Sequence, residues 1–146
     1  MSNHLSPLSL FVWLCIFLSI PAFANAQNGT LIITIKNIQA IEGNLVIGIY
    51  DKKEDFPIDG RQFKLATLKV AASEMTYSVD LPSQKEYGVA IFHDRDEDGN
   101  IDKNWYGAPT ELYGFSNNIR PTFSAPSFEQ VKFRLDQSKS IEINLK

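Results

Sequence analysis

Apolar side chains recur at every second position through most of this chain. Leu31, Ile33 and Ile35 alternate with Thr30, Thr34 and Lys36, and Ile32 makes the second face partly apolar. Leu45, Ile47 and Ile49 alternate with Val46, Gly48 and Tyr50. Met75, Tyr77, Val79 and Leu81 face away from Thr76, Ser78 and Asp80. Near the end, Val131, Phe133 and Leu135 oppose Lys132 and Arg134, and Ile141, Ile143 and Leu145 oppose Glu142 and Asn144. A strand sends successive side chains to opposite faces, so each run reads as a strand with one buried side. Segments 63–70 and 87–93 are apolar on both faces and read as central strands. Glu42-Gly43-Asn44 reads as the turn closing a first hairpin, Asp59-Gly60 as a loop, and Asp136-Gln137-Ser138 as the joint of the last pair. No segment carries a capped apolar stripe of helical period. The expectation is an all-β chain: an antiparallel immunoglobulin-like β-sandwich of about seven strands with one long aromatic loop, forming a single domain over residues 27–146.

That loop is 95–128, where the alternation lapses for more than thirty residues. Loops this long are functional or disordered. Disorder fits poorly, because Trp105, Tyr106, Tyr113, Phe115, Phe123 and Phe128 all need somewhere to pack. An ordered loop over one end or edge of the sandwich is expected.

It is entered through Asp94-Arg95-Asp96-Glu97-Asp98-Gly99-Asn100-Ile101-Asp102. Carboxylates at alternate positions, a glycine, an apolar residue and a further Asp follow the first three-quarters of an EF-hand-type calcium loop. Five acids in nine residues repel one another, and a hard divalent cation removes that repulsion by accepting their oxygens. Asp94, Asp96, Asp98 and Asp102 are the candidate side-chain ligands, with the Asn100 carbonyl between them and Glu111 a further ligand if the loop folds back. The bidentate Glu that ends an EF-hand loop is replaced by Trp105, and the preceding segment is a strand, so weak Ca2+ binding is expected, on the order of 10⁻⁴–10⁻³ M. The competing reading is a solvated acidic turn.

Two other chemistries compete with a metal site. Gly114-Phe115-Ser116-Asn117-Asn118 starts like a nucleophile elbow but lacks the second glycine, and His93 is the one base that could serve Ser116 in a hydrolase. The acidic residues lie too close together and too exposed for separated acid and base roles. Alternatively, the rings of the 104–128 loop, with Trp105, Tyr106, Tyr113, Ser116 and Asn117, would form a carbohydrate- or peptide-binding surface. The bland alternative for those rings is capping of the open core.

The first 26 residues read as an export signal. Segment 8–20 is nearly all apolar, and Ala24-Asn25-Ala26 supplies a small-x-small cleavage pattern before Gln27. The apolar run is shorter than the roughly 20 residues a membrane span needs. The remaining 27–146 has no cysteine and one histidine, which excludes disulfides and zinc sites built from several Cys or His. The formal charge of -3 falls wholly on that part, and without a basic run nucleic acid is excluded as a partner class. Together these features anticipate a periplasmic or secreted binding or structural module for an envelope or extracellular ligand, with no membrane span after signal removal.

The chain also resembles a bacterial exported family known as domain of unknown function 2141. The likeness is carried by Tyr87-Gly88-Val89-Ala90-Ile91-Phe92-His93-Asp94, the acidic turn through Asp102, Gly107-Ala108-Pro109-Thr110-Glu111, Tyr113-Gly114-Phe115-Ser116-Asn117-Asn118 and Pro126-Ser127-Phe128. Tyr50-Asp51 fits as well, and the likeness spans roughly residues 30–146. It implies one exported β-sandwich domain with no established activity. Pro82-Ser83-Gln84-Lys85-Glu86 stands where the family usually carries a glycine. Asp96 and Asp98 replace a turn that is often Asn-rich, which makes this one the more acidic.

Overall fold

The computed structural model describes residues 27–120, 122 and 124–146. The signal read in residues 1–26 lies outside them. Eight strands form two sheets: β1 (Asn28–Lys36), β2 (Asn44–Tyr50), β3 (Lys64–Lys69), β4 (Met75–Pro82), β5 (Lys85–Asp94), β6 (Tyr113–Phe115), β7 (Phe133–Leu135) and β8 (Ser138–Asn144). One sheet runs β4-β1-β8; the other runs β3-β2-β5-β6, with β7 also pairing with β5. The alternating runs do what their period requires. Leu31, Ile33, Ile35, Leu45, Ile47, Ile49, Tyr87, Val89, Ile143 and Leu135 are all 0% exposed, and they fill the space between the sheets. Burying one such side chain is worth roughly 1.5–3 kcal/mol, so this layer dominates the stability of a domain without disulfides.

The sandwich is as expected, and its wiring is not. Glu42-Gly43-Asn44 closes no hairpin, because β1 and β2 belong to different sheets. The chain arches across the core there, and Ile38 plugs the arch at 3% exposure. Gly43 has φ +68°, and a Cβ on it would stand 2.2 Å from the Asp94 carbonyl oxygen, so the turn is fitted against the end of β5. Asp136-Gln137-Ser138 likewise carries the chain from β7 beside β5 to β8 beside β1. An immunoglobulin constant domain keeps its first two strands in one sheet; this domain separates them. β8 also runs parallel to β1, the one parallel pair among the described strands. Period 2 says which side of a strand is buried and is silent on which strand lies beside it.

Segment 87–93 lies in β5, which is central as anticipated, whereas 63–70 supplies β3, an edge strand. Its outward residues stay in the open: Phe63 is 43% and Leu65 53% exposed. Lys64 and Lys69 bracket this edge, a common guard against pairing with a second chain. Val131 belongs to a single helical turn, α1 (Phe128–Val131), and the strand starts only at Phe133. The Ser127 N–H donates to Gln130 Oε1 at 2.9 Å, which favours the turn.

A smaller aromatic cluster covers the outer face of the second sheet at one end. Phe56 stands edge-on to Tyr50 at 5.1 Å and packs at 6.1 Å against both Phe115 and Phe128. Among the described residues, no helix is long and apolar enough to cross a membrane.

Candidate metal centre

β5 ends at Asp94, and the acidic loop begins with that residue's side chain turned into the protein. Asp94 is 2% exposed. Its Oδ2 accepts the Gly99 N–H at 3.0 Å, pulling the loop into a ring. The ring tightens through Asp98 Oδ1, which accepts the Asn100 N–H at 2.7 Å, and through Gly99, whose φ of +81° favours a residue without Cβ. The other oxygen, Asp94 Oδ1, is buried and has no hydrogen-bond partner. An ionised carboxylate oxygen left so is costly, because the site withholds water and supplies nothing in its place.

The loop does fold back on itself. Glu111 Oε1 accepts the Arg95 N–H at 2.9 Å and Glu111 Oε2 accepts the Asp102 N–H at 3.2 Å. This brackets both ends of the excursion and brings a fifth carboxylate to the site. Candidate ligand atoms of Asp94, Asp96 and Glu111 lie within 4.8 Å of one another, as do those of Asp96, Asp98 and Asp102. Asp96 belongs to both groups, while the Asn100 side chain turns to the Asp98 carbonyl at 3.2 Å. At such separations each pair of like charges costs about 1–4 kcal/mol, depending on solvent screening.

Two basic side chains approach the loop, and both are taken by acids outside the cluster. Lys69 pairs with Glu97, and Arg95 pairs with Glu42, which holds the Glu42 carboxyl below its usual range. Among the described residues, none of Asp94, Asp96, Asp98, Asp102 or Glu111 forms an ion pair. The arrangement is thus two overlapping groups of three carboxylates that share Asp96, and the group with Asp94 and Glu111 holds a buried oxygen without a partner.

A family model for uncharacterized proteins conserved in bacteria, DUF2141, matches residues 33–144. The chain belongs to this family. No curated protein and no solved structure matches it. In this DUF2141 domain the matched span runs from β1 to the last residue of β8, so the acidic loop lies inside it.

The remaining sequence candidates fall into two groups. Trp105 and Tyr106 are 94% and 67% exposed, their rings edge-on at 5.0 Å. They sit at the tip of a hairpin whose stem is the Lys103–Pro109 bridge and whose base is closed by the Thr110 N–H donating to the Asp102 carbonyl at 2.8 Å. Tyr113 is half-buried and packs against Phe115 at 5.7 Å.

Ser116 and Asn117, in contrast, are structural braces. The Ser116 hydroxyl is fully buried; it accepts the Val89 N–H at 3.0 Å and donates to the Val131 carbonyl at 2.6 Å. Along one edge of β5 the neighbour changes from β7 at Tyr87 to β6 at Ala90, and this hydroxyl supplies the ladder bond missing between them. The Asn117 amide donates to the Gln130 and Lys132 carbonyls at 3.0 and 3.1 Å. His93 Nε2 donates to the Glu42 carbonyl at 2.8 Å, four residues along β5 from Val89 and so roughly 13 Å from Ser116. Nucleophile and base are not brought together, and the hydrolase reading loses its pair. Sequence spacing suggested an elbow; the actual signal was a buried Ser at a break in the sheet.

Proposed function

We propose that this chain is an exported β-sandwich module that binds calcium in the loop between β5 and β6. The observation that carries the reading is Asp94: a carboxylate 2% exposed, one oxygen without a partner, beside Asp96 and Glu111. Calcium takes six to eight oxygens in flexible geometry, which suits a mixed set of side chains and water. Asp94, Asp96 and Glu111 would hold the ion from the buried side, and Asp98 and Asp102 would close it from solvent. The ion would tie the base of the 102–110 hairpin to the end of β5. Export is supported by the apolar segment and small-residue cleavage pattern of residues 1–26.

Calcium titration tests the site directly. At 1 mM calcium and a dissociation constant of about 0.1 mM, linkage adds roughly 1.4 kcal/mol to stability. For a domain of this size the melting temperature rises by about 3–7 °C. Magnesium should do less, since it demands a tight octahedron and dehydrates reluctantly. Beyond residues 1–26 Trp105 is the sole tryptophan, so its fluorescence should follow the same titration. Asp94→Asn should remove the calcium response without lowering stability in chelator. No change in melting or fluorescence at 10 mM calcium would reduce the loop to a solvated acidic turn.

A further inference from the structure

The outer face of the second sheet, away from the core, is no ordinary solvated face. Its register sets Gly48 beside Ala90, in the row Leu65–Gly48–Ala90–Phe115. The adjacent row is Thr67–Val46–Phe92–Tyr113, and Tyr50 lies on the other side. Gly48 lets the Tyr50 ring and Gln62 close over it, 3.0 and 3.1 Å from where a Cβ would stand, and the small Ala90 beside it leaves a trough between Tyr50 and the rings of Phe92 and Tyr113. The calcium-loop hairpin rises on one side of it through Ile101, Lys103 and Tyr106, and the 57–62 loop on the other through Pro57, Asp59 and Gln62. The groove so enclosed has a volume of about 800 Å³, within the range of small-ligand sites.

Three features select the chemistry of the occupant. The floor is apolar and aromatic, which suits a ligand with a flat C–H face. Asp59 and Lys103 are the only charged residues among the described lining, one of each sign, and the remaining polar groups of the rim are amide, hydroxyl and phenol, set among apolar residues such as Pro57, Ile101 and Pro109. A neutral ligand edged with hydroxyls matches that rim, and an ionic one does not. Lastly, the floor strands β2 and β5 are paired along both edges, so their backbone groups are spoken for. An extended peptide lying here would leave its own N–H and C=O groups without ladder partners.

We propose that this groove binds a neutral oligosaccharide, its ring faces on the trough and its hydroxyls on the rim, with Tyr106 as the aromatic wall. The groove takes one wall, through Gly99, Asn100, Ile101 and Lys103, from the acidic loop and so adjoins the proposed cation site; measurements in calcium and in chelator separate the two readings. An array of neutral glucans, mannans, galactans and N-acetylglucosamine oligomers, probed with the purified protein in calcium and again in chelator, tests the assignment. One class should be retained, and calorimetry with its hexamer should then give a saturable isotherm. Tyr106→Ala, a change at an exposed ring, should weaken binding about tenfold. Ala90→Leu, which fills the trough from a half-buried position, should abolish binding while the melting temperature stays within a few degrees of the parent. Retention of no saccharide in either buffer overturns the proposal. So does saccharide binding unchanged in Ala90→Leu, or an apolar peptide that binds and is lost in that variant.

Discussion

Replacing Ser116 with alanine would strip one hydroxyl from a site with no access to water. Its oxygen is the acceptor for the Val89 N–H at 3.0 Å, and its proton goes to the Val131 carbonyl at 2.6 Å. Ser116, Val89 and Val131 are each 0% exposed. Both backbone groups would therefore be left buried and unpaired, since the cavity left by one oxygen is too small to seat a water well. An orphaned buried group costs about 1–3 kcal/mol, so the pair should cost roughly 2–4 kcal/mol. Urea unfolding should show this as a lower midpoint at constant slope. The melting temperature should fall by about 8–20 °C. A surface serine would give less than about 0.5 kcal/mol. A value that small for Ser116→Ala would refute the brace between β5, β6 and α1 and reopen a solvent-facing role for the hydroxyl.

Two further outcomes follow from the second aromatic cluster and the buried phenols. Phe128 is 7% exposed, packs against Phe56 at 6.1 Å, and lies over Gly88, where a Cβ would stand 3.2 Å from its ring; Phe128→Ala should cost about 3–5 kcal/mol in chemical denaturation. Tyr50 and Tyr87 both have their hydroxyls pushed up to about 12, first by burial and then by the Asp59 and Asp51 carboxylates respectively. A raised folded value means the stability each contributes is complete below the unfolded value near 10 and is lost as pH rises through about 12. Phenolate absorbance should therefore show two of the five tyrosines titrating late and together with unfolding, and early titration of all five would contradict their burial.

The chain's own pattern determined the class of fold and which side chains fill it. Each of the seven alternating or doubly apolar runs contains a strand, because burying one face of a pleated strand is a local constraint that a period of 2 satisfies on its own. The acidic loop was equally legible, since the crowding of carboxylates and the glycine among them are properties of adjacent residues. What adjacent residues could not decide was partnership. β1 and β2 look like a hairpin in sequence and face each other across the core instead, because alternation leaves the neighbouring strand open. β6, at three residues, is too short to show a period and pairs along the edge that β5 leaves open beyond β7. The role of Ser116 depended on that same gap, and the 63–70 run lies at an edge because β2 is the one described strand that pairs with it, which leaves Leu65 exposed. Glu111 shows the division most clearly. It lies nine positions after Asp102 along the chain, and only the fold-back that pairs their groups puts its carboxylate beside the buried Asp94.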